Sequence, residues 1–184
     1  MKEEDIKTGD VYLVNGRNEK GKQTFLSKAI DWWMKVYAKK YNIKYDWIGS
    51  HAATFLWIGK NLYLGESIDN GFHIRKFKAH YDFEKDDFCV LKPIKPYTEE
   101  EQEKIVELII SLQVVNVFYK YTNFIFWPIY IVFGINLFGK TRKFTYCYES
   151  TDMIMKEMNR SVAKDIYVSS FFDLYNNENY KKEK

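Results

Sequence analysis

The spacing of apolar and turn-forming residues in the first half of the chain predicts an antiparallel sheet. The apolar run 52–58 is too short for a comfortable helix and is bounded by glycines, which is typical of a buried strand. Gly59, Lys60 and Asn61 have turn chemistry and are expected to join this strand to the next in a tight hairpin. In total the pattern predicts five strands, at 11–14, 52–58, 62–67, 71–77 and 88–93.

Helical periodicity predicts three helices around these strands. The first covers 24–37, and the second begins after a capping box formed by Thr98 and Glu101. A third helix follows late in the chain, where four residues recur at i, i+4, i+7 and i+11 and share one face: Cys147, Thr151, Ile154 and Met158. A strand and a helix, then an antiparallel meander of strands, then further helices predict an α+β fold.

An aromatic-rich segment, 117–138, fits neither pattern well. Pro128 argues against one unbroken helix, because proline lacks the backbone N–H and clashes with the preceding turn. The apolar run 123–138 falls short of the roughly 18 residues expected of a membrane span. We therefore interpret it as a buried or cleft-covering segment.

The composition is that of an ordinary globular domain. The 184 residues are 46% hydrophobic and 29% charged, which predicts a single domain over 1–175 and a polar, flexible tail over 176–184. The net charge of +3 is too balanced to indicate a nucleic-acid partner. The N-terminus is charged and lacks the apolar stretch of a secretory signal, so we expect a cytoplasmic protein.

Cysteine and histidine usage predicts neither a disulfide framework nor a metal or other cofactor. The two cysteines are too few for a disulfide scaffold, and Cys89 lies in a short apolar run where it is a small core residue. Neither C-x-x-C nor H-E-x-x-H occurs, and the three histidines have no metal-ligand spacing.

Cys147 is the candidate nucleophile. It opens the third predicted helix, where the positive end of the helix dipole favours the thiolate, and it follows the basic segment 139–143. A thiolate attacks carbonyl carbon, but a cysteine enzyme also needs a base and a group that orients the base. The backbone N–H of Cys147 is the candidate donor to the oxyanion.

His51 and Glu66 are the candidate base and orienting group. If the hairpin turn pairs Ile58 with Asn61, paired positions sum to 119, and Glu66 lies opposite Ala53. Glu66 and His51 are then diagonal neighbours on one face, with backbones about 7–8 Å apart. A slip of one residue would move Glu66 to the other face. Two further histidines compete for the role of base: His73 and His80.

The order of these motifs resembles a known family. Gly-Asp-Val-Tyr-Leu stands near the N-terminus, Gly-Ser-His opens a strand at 49–51, Leu-Gly-Glu-Ser follows at 64–67, and Tyr-Cys-Tyr-Glu opens a late helix at 146–149. This resembles the permuted papain-fold cysteine amidases of the YaeF/YiiX type, relatives of the NlpC-type cell-wall peptidases. In that permuted family the histidine strand precedes the cysteine helix. The similarity spans residues 8–158.

The resemblance implies a permuted papain-like (NlpC-type) fold, with an antiparallel sheet packed against helices. It also implies catalytic roles: Cys147 as nucleophile, His51 as base and Glu66 as the group that orients the imidazole. The residue after the cysteine is usually small in such relatives, whereas this chain has Tyr148, which indicates a differently shaped cleft.

Three functional hypotheses follow. The first is a cysteine hydrolase or acyltransferase that acts on an amide, ester or thioester bond of a small peptide, a cell-wall peptide or a lipid-like acyl substrate. The alternative is a catalytically silent binding or structural module on the same fold, since a fold does not determine a function. A minor third hypothesis is peripheral membrane contact through 124–138, assisted by Lys140, Arg142 and Lys143.

Overall fold

A computed structural model describes residues 1–15, 25–68, 70–115, 118–119, 123–135, 137, 144–163 and 169–183. Its strands are β1 (Val11–Val14), β2 (His51–Ile58), β3 (Asn61–Ile68), β4 (Gly71–Lys76), β5 (Phe88–Pro93), β6 (Phe118–Tyr119), β7 (Phe144–Thr145) and β8 (Tyr180–Glu183). Its helices are α1 (Phe25–Lys40), α2 (Phe77–His80), α3 (Glu99–Val114), α4 (Asn123–Phe133), α5 (Cys147–Glu157) and α6 (Phe171–Tyr175).

Six strands form one sheet in the order β4-β3-β2-β1-β5-β8, with every neighbouring pair antiparallel. The predicted hairpin register is confirmed, because Ile58 pairs with Asn61 and Ala53 pairs with Glu66. Gly59 has φ +58 in the turn between them, a conformation that glycine adopts without steric cost. The five strands predicted from the sequence are all present, and the sheet is antiparallel as expected.

The side chains of the sheet alternate between two apolar faces. Tyr12, Phe55 and Leu64 point to the face that is covered by Phe77 and the loop after α2. The opposite face packs against the larger helices, and it includes Leu13, Ala52, Cys89, Leu56 and Phe72. The sheet is therefore buried on both sides along much of its area.

A close approach of α3 to β3 depends on Gly65. A Cβ atom at that position would lie 2.8 Å from Cγ2 of Ile109, a fully buried residue of α3. The glycine therefore lets α3 lie directly on the strand that carries Glu66. The α3 capping box predicted at Thr98 and Glu101 is confirmed, with the Thr98 hydroxyl accepting from the Glu101 N–H.

The structure corrects the expectation of a flexible tail over 176–184. Residues 180–183 form β8, which pairs with β5 at the edge of the sheet. Tyr180 is buried and its hydroxyl bonds to that of Tyr97, while Lys92 and Glu183 form an ion pair of 2.7 Å. An unpaired β5 edge would have exposed its backbone groups, and the last residues of the chain satisfy them.

The aromatic segment contains a helix, as far as the structure describes it. Helix α4 runs from Asn123 to Phe133 and includes Pro128, so the proline lies inside a helix that is shorter than the segment. Trp127 and Ile131 are buried against the core, which agrees with the first of the two alternatives, a buried rather than a cleft-covering segment, for this part of the chain. Among the described residues, no helix has the length and apolar character needed to cross a membrane.

Candidate active site

Cys147 is the first residue of α5, as the sequence predicted. The preceding residue, Tyr146, has an extended backbone and makes no side-chain cap, so no capping side chain uses the N–H groups of the first turn. The first backbone bond of the helix runs from the Ser150 N–H to the Tyr146 carbonyl. The thiol therefore lies at the positive end of the helix dipole.

His51 is the first residue of β2, and its imidazole lies between two partners. Its Nε2 is 2.6 Å from Oε2 of Glu66, and its ring also hydrogen-bonds the Cys147 side chain. Because Nε2 is taken by the carboxylate, Nδ1 is the nitrogen left for the thiol. The structure therefore brings the three sequence-predicted residues together in one chain of hydrogen bonds.

Glu66 is fully buried and has two further partners that the sequence reading missed. Its Oε2 accepts a hydrogen bond of 2.7 Å from the Tyr81 hydroxyl, and its Oε1 accepts one of 3.3 Å from Nη1 of Arg75. Counting across the second hairpin could have found Arg75, since His73 pairs with Glu66 and Arg75 lies two residues further on the same face. Tyr81 follows α2 in a loop, and no periodicity indicated it.

These contacts set the charges of the site. Burial is the largest influence on the Glu66 pKa and would raise it, but the hydrogen bonds from His51 and Tyr81 and the charge of Arg75 together lower it. Burial also acts to lower the pKa of His51, yet the hydrogen bonds and charges of Cys147 and Glu66 raise it to about 10. A cationic imidazole beside a buried carboxylate is the protonation state of the His51–Glu66 pair that this geometry favours.

The two competing histidines and the second cysteine lie at other places in the fold, on β4, α2 and β5. His80 bonds through Nδ1 to Nη2 of Arg75, and its pKa is lowered by partial burial and by the charge of that arginine. His73 lies directly opposite Glu66, and its buried Nε2 has no hydrogen-bond partner among the described residues. Cys89 lies in the core on β5. Of the three histidines, His51 is the one that contacts Cys147.

The bulky Tyr148 has a structural contact that connects the cysteine helix to the histidine strand. It is buried, and its hydroxyl donates a hydrogen bond of 2.7 Å to the Gly49 carbonyl, two residues before His51. Its ring also meets Phe171 edge to face. Tyr148 therefore helps to hold the start of α5 against the start of β2, where the thiol and the imidazole meet.

Comparison with known proteins supports the fold. No known family model matches the chain, and no curated protein matches it. Among solved structures, the crystal structure of the metalloprotein YiiX from Escherichia coli O157:H7 matches with a TM-score of 0.62 at 15% identity, over 97% of this chain and 96% of that chain. The chain therefore has a YiiX-like α+β fold, and its assignment to the permuted papain-like class stays a prediction.

That structural neighbour is named a metalloprotein, but the described residues of this chain contain no group of side chains suited to hold a metal ion. No three His, Cys, Asp or Glu side chains in the ranges given above lie where they could share an ion. Nε2 of His51 and both oxygens of Glu66 are instead occupied by hydrogen bonds to protein groups. The described side chains therefore do not fit a metal site.

Removing the Tyr81 hydroxyl is expected to destabilise the site. In Tyr81→Phe the buried Glu66 carboxylate loses one donor, so we expect the free energy of unfolding to fall by about 1.5–3 kcal/mol. Urea denaturation measures this change. Tyr45→Phe is the matched control, because that ring is 43% exposed and loss of an exposed hydroxyl should cost less than about 0.5 kcal/mol. Equal urea midpoints for the two variants would contradict the role given to Tyr81.

Proposed function

We propose that the protein is a cysteine hydrolase or acyltransferase with Cys147 as nucleophile, His51 as general acid and base, and Glu66 as the group that orients His51. One observation carries the proposal. The imidazole of His51 hydrogen-bonds the Cys147 side chain on one side and lies 2.6 Å from a buried carboxylate on the other. A nucleophile, a base and an orienting group in this order are the requirement for thiol catalysis.

The first half of the proposed reaction forms an acyl-enzyme. The Cys147 thiolate attacks the carbonyl carbon of the substrate, and the carbonyl oxygen becomes an oxyanion. The backbone N–H of Cys147, at the positive end of α5, is the candidate donor to that oxyanion. The His51 imidazolium then gives its proton to the leaving amine, alcohol or thiol, and the carbon–leaving-group bond breaks.

The second half releases the acyl group. His51, now neutral, takes a proton from water or from another acceptor, which attacks the thioester carbon and displaces Cys147 as thiolate. Glu66 keeps the imidazole in one orientation throughout, and Tyr81 and Arg75 keep Glu66 in place. Water as acceptor makes the protein a hydrolase, and an alcohol or amine makes it an acyltransferase.

The substrate class follows from this chemistry and from the resemblance in the sequence. A thiolate nucleophile acts on amides, esters and thioesters, so the proposed substrates are small peptides, cell-wall peptides and lipid-like acyl compounds. The aromatic residues of α4, such as Trp127 and Tyr130, offer apolar surface next to the core that contains Cys147.

The two cysteines provide an internal test of the proposal. Cys147 is 2% exposed and Cys89 is 0% exposed, so burial alone would make both thiols equally slow to react. If His51 holds Cys147 as thiolate, iodoacetamide at neutral pH should alkylate Cys147 well ahead of Cys89, as mass spectrometry of the digested protein would show. Alkylation in urea is the control, because both cysteines should be fully labelled once the protein is unfolded.

The second candidate function is a catalytically silent binding or structural module. The burial of Cys147 and of its neighbour Tyr148, at 2% and 3% exposure, favours it, because a nucleophile must reach its substrate. This candidate predicts the opposite labelling result. Folded protein in which Cys147 reacts no faster than Cys89 would exclude the enzyme and leave the silent module.

A further inference from the structure

Helix α1 presents a stripe of aromatic and basic residues to solvent. Its inner face, including Met34 and Ala38, is buried in the core. Its outer face repeats at i, i+3, i+7, i+10 and i+14, with every residue exposed: Phe25, Lys28, Trp32, Lys35 and Lys39. Phe25 is 87% exposed and Trp32 is 56% exposed, although large aromatic side chains are normally covered.

The end of α4 adds apolar surface next to this stripe. Helix α4 contains no charged residue, and after its buried Ile131 the chain exposes Val132 by 58% and Phe133 by 71%. The ammonium group of Lys40 bonds to the carbonyls of Ile131 and Val132, which places the C-terminal end of α1 beside that of α4. The lysine-rich C-terminal end of α1 therefore lies beside exposed apolar residues of α4, and Ile135 and Leu137 after α4 are exposed as well.

We propose that this α1–α4 surface, made by the outer stripe of α1 and the exposed end of α4, binds the face of an anionic phospholipid bilayer. Aromatic and aliphatic side chains enter the boundary between headgroups and acyl chains, while lysines on the same stripe pair with lipid phosphates and carboxylates. A helix that lies flat presents its whole stripe to the bilayer. This binding needs no helix to cross the membrane.

The charge of the stripe selects this partner over a second copy of the chain. Lys28, Lys35 and Lys39 all have the same sign, so a symmetric contact between two copies would bring ammonium groups against one another. An anionic bilayer satisfies the charge and the apolar residues together. The proposal concerns a surface that includes none of the proposed catalytic residues, so it is independent of the function proposed for Cys147.

Co-sedimentation with vesicles tests the proposal. We expect the full chain to sediment with phosphatidylcholine vesicles that contain phosphatidylserine, and to do so less in high salt. The variant Lys35→Gln/Lys39→Gln should partition about thirtyfold more weakly into these vesicles, since each lysine near an anionic surface contributes about 1 kcal/mol. The variant Val132→Ser/Phe133→Ser should lose about tenfold or more.

Ile94→Ser is the matched control, because Ile94 is 63% exposed but follows β5 and belongs to neither α1 nor α4. It should bind as the wild type does, and so should Cys147→Ser. Absence of binding to anionic vesicles at low salt would overturn the proposal, and so would equal binding by the lysine variant and Ile94→Ser. Self-association without lipid that Val132→Ser/Phe133→Ser abolishes, together with no vesicle binding, would assign the surface to a second copy instead.

Discussion

Cys147→Ala is expected to reduce turnover of an acyl substrate by at least about 10⁴-fold, because it removes the proposed nucleophile and with it the proposed covalent intermediate. The remaining binding and oxyanion groups then leave only weak rate enhancement. Steady-state hydrolysis of a panel of chromogenic esters and short peptide amides measures the effect. The fold should survive, since the substitution deletes one sulfur atom at the start of α5 and leaves the buried residues Ile154 and Met155 in place.

Cys89→Ala is the matched control for this prediction. It removes the other buried thiol of the core and should leave turnover unchanged within about threefold, with a modest loss of stability. Thermal unfolding of both variants separates loss of the fold from loss of the nucleophile. If Cys147→Ala kept full turnover on a substrate that the wild type hydrolyses, the cysteine mechanism would be wrong.

The hairpin that joins His51 to Glu66 was predictable because its register is local. The turn at Gly59 separates two strands that follow one another in the chain, so counting outward from the turn determines every pair. The observed pairing of Ala53 with Glu66 agrees with that count, and Nε2 of His51 lies 2.6 Å from Oε2 of Glu66. The catalytic role of the pair stays a prediction.

The contact between His51 and Cys147 depends on packing that periodicity does not determine. The apolar face of α5 predicts that the helix is buried, and Thr151, Ile154 and Met158 are indeed buried. Other contacts set the position of α5 along the sheet, for example the hydrogen bond from the Tyr148 hydroxyl to the Gly49 carbonyl. That tyrosine indicated a changed cleft in the sequence, whereas the structure gives it a contact that positions the helix.

Composition alone also did not predict the last strand, β8. Residues 176–184 are polar and lysine-rich, which is typical of a loose terminus. Residues 180–183 nevertheless form β8, because they pair with the edge of β5, which is far away in sequence, and because Tyr180 is buried. Composition describes a segment by itself, but strand pairing depends on what the rest of the fold leaves exposed.

His51→Ala is expected to change the pH dependence of Cys147 alkylation. The pKa of His51 is raised to about 10, so below that pH the imidazole keeps its proton and the positive charge beside Cys147 does not change. The wild-type rate should therefore be nearly flat across the neutral range. Without the imidazole, alkylation at neutral pH should be slower and its rate should rise steeply with pH, because no cation then lies beside the thiol. Turnover should fall about 10²–10⁴-fold.

His73→Gln is the control for this experiment, because His73 is the rival base that lies opposite Glu66 on β4. It should keep the flat wild-type profile, which stopped-flow alkylation followed by mass spectrometry would record for Cys147 alone. A steep profile in the wild type, unchanged by His51→Ala, would show that the imidazole does not hold the thiol proton. In that case the hydrogen bond between His51 and Cys147 would reflect packing alone. The catalytically silent module would then explain the protein better than an enzyme does.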